Sequence, residues 1–420
     1  MKRVIYNSYL KPFIKKINSF VKNKNVQKKI PPEYYHFDQS FKSNLVIFDD
    51  FLPNLLGSWR APEISSYLRK FDKVELVCFL NFYDRNNKEQ FEKDKQLFIE
   101  KYNLQSKATS ISKIDSAFPI NINSKLAYCL FYHNLKRIFP ILQKYNIPFL
   151  FTLYPGGGFG FYDKECDSFL KEIASSPLLK GIIVTQQCTY DYLIDRGIFQ
   201  KDMLHLIYGA CFPVKNYQVR KNKEYYHVNK PTLDICFVAV KYTDGGIDKG
   251  FDIFCHTAYR LCQKYDFIRF HVVGNFSEED LVFNIPAEKI TFYGLQYFDW
   301  FRDFYFDKDI IISPVRPYVL KKGAFDGFPT GGVIDAGLYE VLMISSDPLG
   351  DNQLAGFENW KDIVISGNNI YSIIQSIDKL IESPALIKSI AKAGREKILE
   401  NFSEEKQIKE RIKVITKFIS

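Results

Sequence analysis

Two hydrophobic periods alternate along most of this chain. Apolar runs at residues 44–48, 74–80, 147–153, 181–185 and 204–208 have the length of strands buried on both faces. Residues 63–70 and 125–146 are expected to be helices between them. A second series opens with a strand at 233–240. It continues with strands at 267–274, near Ile290, 309–313, 341–345 and 362–366, and with helices at 250–264, 299–306, 369–382, 386–401 and 404–418. Strands that alternate with helices predict mostly parallel sheets, so two doubly wound, Rossmann-like α/β domains are expected. The Lys-rich stretch ending in Asn229-Lys230-Pro231 separates the two series. The expected organisation is a tail (residues 1–42), a first domain (43–215), a linker (216–231), a second domain (232–400) and a last helix (401–420). A chain of 420 residues suits two domains.

Charge changes this picture at one end. The chain has 57 Lys and Arg against 48 Asp and Glu, and nine of the bases, with no acid, fall in residues 1–30. The body is left neutral, without the basic surface that nucleic acid requires, so nucleic acid is excluded as a partner. Within the tail, Ile5, Tyr9, Leu10, Phe13, Ile14, Ile17, Phe20 and Val21 follow helical spacing with lysines opposite. Two readings stay open: a basic amphipathic helix lying on an anionic membrane surface, and a helix docked on the body. No run reaches the roughly 18 apolar residues of a membrane span, and no signal-peptide core is seen. The eight cysteines include no Cys-x-x-Cys pair and read as buried free thiols in a reducing, cytoplasmic compartment. None of the six histidines falls in a metal-ligand or triad spacing, so neither a metal nor a cofactor is implied.

The densest candidate chemistry lies between Phe325 and Asp347. Asp326-Gly327-Phe328-Pro329 makes a turn, Thr330-Gly331-Gly332 opens a short helix, and the apolar strand at 341–345 leads to Asp347. Glycines let backbone N–H groups approach a ligand, and a helix N-terminus favours phosphate. Asp326 precedes that N-terminus, and Asp335 lies about one turn inside it. The layout fits a ligand with a diphosphate in its middle and hydroxyls at both ends, as in a nucleotide sugar. A plain Gly/Pro turn before a helix is the simpler alternative.

This segment resembles the donor site of retaining glycosyltransferases of the GT-B fold, in particular those of family 4 (glycosyl transferases group 1). That family carries Glu-Gly-Phe-Gly/Pro, a second Glu-Ala, then Gly and a strand ending in Ser/Thr-Asp. Here Asp326 and Asp335 replace both glutamates, and the gap between them is one residue longer than usual, while the spacing from Asp335 to Asp347 matches. The resemblance implies two domains facing a cleft and a last helix that crosses back. It also implies a nucleotide-diphosphate sugar as donor on the C-terminal domain, an acceptor on the N-terminal one, and no tightly bound metal. By the same resemblance Asp335 holds the ribose and Asp326 the sugar hydroxyls, with Gly327, Phe328 and Thr330–Gly332 completing the donor set. Lys249-Gly250 matches a Lys-Gly of the family that holds diphosphate and opens a helix. Lys241 stands in for an Arg, without its bidentate fork. Asp326 and Lys249 are the residues expected to act in the reaction.

In the first domain, Gly156-Gly157-Gly158-Phe159-Gly160 follows the 147–153 strand. Its spacing fails as a dinucleotide fingerprint, and it is expected to line the cleft and offer amides to a substrate oxygen. Arg60 and Glu63 are expected on a loop facing the same cleft. Arg316, Lys321 and Lys322 are expected either to meet phosphate or to be solvated. The function implied is hexosyl transfer to a glycan or lipid-linked acceptor, in surface polysaccharide or glycan synthesis at the cytoplasmic side of a membrane. A sugar-nucleotide epimerase and a catalytically inactive GT-B-like scaffold subunit are the rival readings.

Overall fold

The computed structural model describes residues 34–55, 59–78, 88–114, 119–296 and 298–419. The expected tail helix lies outside them, as do residues 56–58 on the approach to Arg60. Among the described residues, seven parallel strands form the first sheet. Their spatial order is Ile111–Lys113, Val74–Cys78, Ser43–Asp49, Ser124–Leu130, Phe149–Leu153, Leu179–Val184 and Leu204–Leu206. Six more form the second, in the order Ile290–Phe292, Ile268–Val273, Leu233–Val238, Ile310–Ser313, Leu342–Ser345 and Val364–Ile365.

Each sheet is covered on both faces, as period-2 side chains dictate. Val46 and Phe48 enter one core of the first domain with Leu135 and Leu170, while Leu45 and Ile47 enter the other with Ile64 and Leu68. In the second domain Ile235 and Phe237 pack with Phe254 and Ile377, and Cys236 with Ile334 and Ile398. Strand order runs outward from a central pair in each sheet: Ser43–Asp49 beside Ser124–Leu130, and Leu233–Val238 beside Ile310–Ser313. Loops diverge from the carboxyl ends of such a pair and leave a crevice, which is where open α/β sheets bind ligands.

Three expectations need correction. Residues 125–146 are not one helix but the strand Ser124–Leu130 followed by the helix Tyr132–Lys144. Leu126 to Leu130 are all buried because the strand is central, and an unbroken apolar run has no period to reveal its type. The chain turns at Phe131, with φ 71°. Nor is 216–231 a solvated connector: Tyr225 and Tyr226 are buried in the second domain's core, and buried Lys223 donates to Tyr305 O and Lys308 O at 2.6 and 3.1 Å. Tyr34 and Tyr35, expected in the tail, are buried in the first domain's core, where Tyr35–His36 pairs with Ile120–Asn121.

The helix Ala385–Phe402 packs on the second domain, and after Ser403 the helix Glu404–Ile419 crosses back to the first. Ile408, Ile415 and Ile419 share one face of it and are buried in the first domain's core, each contributing roughly 1.5–3 kcal/mol. Arg411 lies fully buried on that face. It donates to Gly209 O at 2.9 Å and to the Tyr154 hydroxyl at 3.2 Å, with Glu63 Oε2 3.7 Å away. Glu63 is therefore not on a cleft loop. It sits inside the helix Arg60–Lys70 and accepts from the hydroxyls of Tyr67, Tyr128 and Tyr154 at 2.9, 2.6 and 2.7 Å. A buried carboxylate persists only with such partners.

Candidate active site

The loop after Leu233–Val238 carries Lys249. It ends at Gly250, which has φ 74° and starts the helix Phe251–Lys264. A Cβ at Gly250 would stand 2.1 Å from Pro314 O, so glycine alone lets the loop press against the end of Ile310–Ser313. Lys249 Nζ thereby reaches the two carboxylate oxygens of Asp326 at 2.9 and 2.7 Å, with Asp248 at 3.5 Å. Burial opposes its charge, but Asp326, Tyr242 and Asp248 more than offset this and hold its pKa above the usual lysine range.

Asp326 leads into the helix Gly331–Leu338, whose first bonds are donated by Val333 and Ile334 to Thr330 O. The N–H groups of Gly331 and Gly332 precede that ladder, and Thr330 makes no side-chain cap. A Cβ at Gly332 would lie 2.9 Å from Val238 O, whereas among the described residues nothing stands within 4 Å of one at Gly331. Gly332 packs on the sheet, then, and Gly331 faces open space. A narrow cleft is lined here by Asp326, Gly327, Phe328, Thr330, Ser345 and Ser346, among others. Phe328 also turns its ring onto Phe357 in the core. One turn into the helix, Asp335 accepts from the hydroxyl of Tyr217, and burial pushes its pKa up to about 7. Asp347 accepts from the backbone N–H groups of Asp351 and Asn352 at 2.9 and 3.0 Å, fixing the short helix Asn352–Ala355.

Lys241, expected beside Lys249, is paired with both oxygens of Asp280 at 2.7 and 2.8 Å. Asp280 also closes a capping box with Ser277, so this lysine is tied to a neighbouring turn. Arg316 is likewise paired, with Asp252 at 2.7 and 2.8 Å.

The first domain brings Asp49, Asp50, Arg60 and His133 to the carboxyl ends of its central strands. Arg60 opens its helix rather than sitting in a loop, and its Nη1 lies 2.6 Å from Asp50 and 3.2 Å from Asp49. Its guanidinium also stands 4.5 Å over the Phe131 ring, so it is a committed cation, not a free one. His133 contacts Asp50 through Nε2 at 2.8 Å and Gly157 O through Nδ1 at 2.9 Å. Both partners are acceptors, so both contacts are hydrogen bonds only when the ring carries two protons. Burial alone would raise the Asp50 carboxyl, but His133, Arg60 and the Asn134 amide hold it well below the usual range.

The glycine loop is held from both sides. Gly157 O accepts from His133, and Gly158 O accepts from Lys321 Nζ at 2.5 Å. A Cβ at Gly157 would stand 2.6 Å from the Phe131 ring, while among the described residues none of the surrounding atoms comes within 4 Å of one at Gly156. Tyr242 lies beside Lys249, its ring 5.1 Å from Nζ. His133 escaped sequence reasoning because the expected long helix hid the strand end, at Leu130, that positions it. Tyr217 is one of three tyrosines in a Lys-rich stretch and carries no periodic signal.

No family model matches the sequence, and no curated protein matches it. Solved structures do. A glycosyltransferase from Rickettsia africae ESF-5 is 15% identical, with a TM-score of 0.61 over 90% of this chain and 99% of that one. Sucrose-phosphate synthase from Thermosynechococcus elongatus is 13% identical, with a TM-score of 0.61 over 89% of this chain and 98% of its own. HepE of Anabaena, in complex with UDP and glucose, is 12% identical, with a TM-score of 0.62 over 89% and 99%. Identities this low speak for the fold, and that fold is GT-B: two Rossmann-like domains with parallel sheets. Among the described residues no helix is long and apolar enough to cross a membrane, and no three His, Cys, Asp or Glu side chains gather as a metal site.

Proposed function

We propose that this chain is a retaining glycosyltransferase that takes a hexose from a nucleotide-diphosphate sugar. One observation carries the reading. A buried, firmly charged lysine, a carboxylate and an uncapped helix N-terminus (Lys249, Asp326 and Gly331) converge at the switch point of the C-terminal sheet. Lys249 and the N–H groups of Thr330–Gly332 hold the diphosphate, where leaving-group charge develops. Asp335 accepts from the ribose and Asp326 from the sugar hydroxyls, so donor entry exchanges the Lys249–Asp326 pair for contacts to phosphate and sugar. HepE has the same fold and was solved with UDP and glucose, which supports a donor of this class. The acceptor, a glycan or a lipid-linked one, approaches from the first domain, where Asp50 and His133 lie. Transfer needs no metal. The basic tail holds the enzyme on the cytoplasmic face of an anionic membrane, in surface polysaccharide or glycan synthesis.

A second reading has one observation in its favour. Lys249 and Asp326 neutralise each other, as they would in a scaffold subunit that binds nucleotide without turning it over. A thermal-shift screen against UDP, GDP, ADP, CMP and their sugar conjugates tests both, on wild type, Lys249→Ala and Asp335→Ala. Stabilisation by one diphosphate, lost in both variants, is the expected result. No shift with any nucleotide rejects the donor site, and a shift without turnover across an acceptor panel favours the scaffold.

A further inference from the structure

Asp326 is held by both domains. Its carboxylate pairs with Lys249 of the C-terminal domain, yet the backbone on either side of it is fastened to the N-terminal domain. On the leading side, the Phe325 ring is 5% exposed and lies within the N-terminal core, stacked on Phe161 at 4.4 Å with the planes 16° apart. Phe161 N donates to Gly323 O at 2.9 Å, and Lys321 Nζ reaches Gly158 O at 2.5 Å and Asp163 at 3.2 Å. The approach is so close that a Cβ at Gly323, which has φ 73°, would stand 1.9 Å from Phe161 O. On the trailing side, Phe328 N donates to Gln186 Oε1 at 3.4 Å, and the Tyr208 hydroxyl donates to Phe328 O.

We infer that Phe325 is a positioning residue. Its seat in the N-terminal core fixes Asp326 over Lys249, so closing the cleft and assembling the site are one event. Opening the domains would expose the Phe161 and Phe325 rings to water and draw Asp326 away from its partner. The consequence for turnover rests on the donor-site reading above, while the coupling itself rests on contacts alone.

Hydrogen exchange on the full chain tests the coupling, using wild type, Phe325→Ala, Phe325→Leu and Phe161→Ala. Amides at 158–163 and 324–330 are expected to exchange at least about tenfold faster in both alanine variants, with the central strands of each sheet unchanged. Phe325→Leu refills the same apolar seat and is expected to restore protection. Unchanged exchange at 324–330 in Phe325→Ala overturns the inference, and so does a rise spread across the whole N-terminal sheet, the signature of an ordinary core residue.

Titration with UDP and turnover assays separate this from the functional reading. Phe325→Ala is expected to bind UDP within about threefold of wild type yet lose turnover, with no further loss when Asp326→Asn is already present. UDP binding to none of the variants, wild type included, would reject a UDP donor, and the exchange result would still decide the role of Phe325.

Discussion

The hydroxyl of Tyr217 donates to Oδ1 of Asp335, joining the segment between the domains to the helix that opens the candidate donor site. Burial pushes the Asp335 pKa up to about 7, and the Tyr217 bond pulls in the opposite direction. A carboxyl raised in the fold favours the folded state while it is protonated. Its contribution is complete below the unfolded value of about 4 and is lost as pH climbs through about 7. Melting temperatures from pH 4 to 8 should therefore fall less steeply for Asp335→Asn than for wild type.

The same group couples nucleotide binding to protons. Ribose hydroxyls require the carboxylate, so UDP binding near pH 7 should release a proton. Calorimetry in buffers of different ionisation enthalpy reads that release, which should disappear in Asp335→Asn. Tyr217→Phe removes the bond that favours ionisation. Its UDP affinity should be weakened at pH 7 and regained at about pH 8.5.

Lys249→Ala affects folding and binding together. Asp326 is 35% exposed and stays within reach of water, but the buried Asp248 carboxylate also loses its nearby cation, so stability should fall by about 1–3 kcal/mol. UDP affinity, measured by calorimetry, should fall about tenfold or more, because a charge-assisted contact to the diphosphate is gone.

The two glycines of the helix entry should respond in opposite ways. Gly331→Val enters open space, so the fold should survive while the new side chain blocks the helix N-terminus and weakens UDP binding. Gly332→Ala places a methyl 2.9 Å from Val238 O and should lower the melting temperature. Paired melting and binding curves distinguish the two outcomes.

The crossover helix offers a control remote from the site. Arg411→Met strands the fully buried Glu63 and should cost about 3–5 kcal/mol in denaturant unfolding. Adding Glu63→Gln should recover part of that loss, and UDP affinity should stay unchanged in both proteins.

Much of this architecture is legible from local pattern. The helix Gly331–Leu338, the strand Leu342–Ser345 and the closing helices follow the apolar periods closely, and Lys249 and Asp326, singled out from separate loops, do meet. What escaped was set by tertiary context. The strand Ser124–Leu130 has no period because both its faces are buried, and with it went the position of His133. Arg411 shares a stripe with Ile408 and Ile415, and only the arrival of Glu63 and Tyr154 from another domain explains a charge there. Lys241 and Arg60 looked like free cations because their partners, Asp280 and the Asp49–Asp50 pair, are identified by folding alone.

If a nucleotide sugar is cleaved at Asp326 and Lys249, NMR of the sugar released from the donor that gives the largest thermal shift will show it. Slow cleavage with water as acceptor is expected, with an α sugar appearing first from an α-linked donor, and cleavage should be lost in Asp326→Asn while UDP still binds. Release of the β sugar first, or undiminished cleavage by Asp326→Asn, would rule out this chemistry at Asp326.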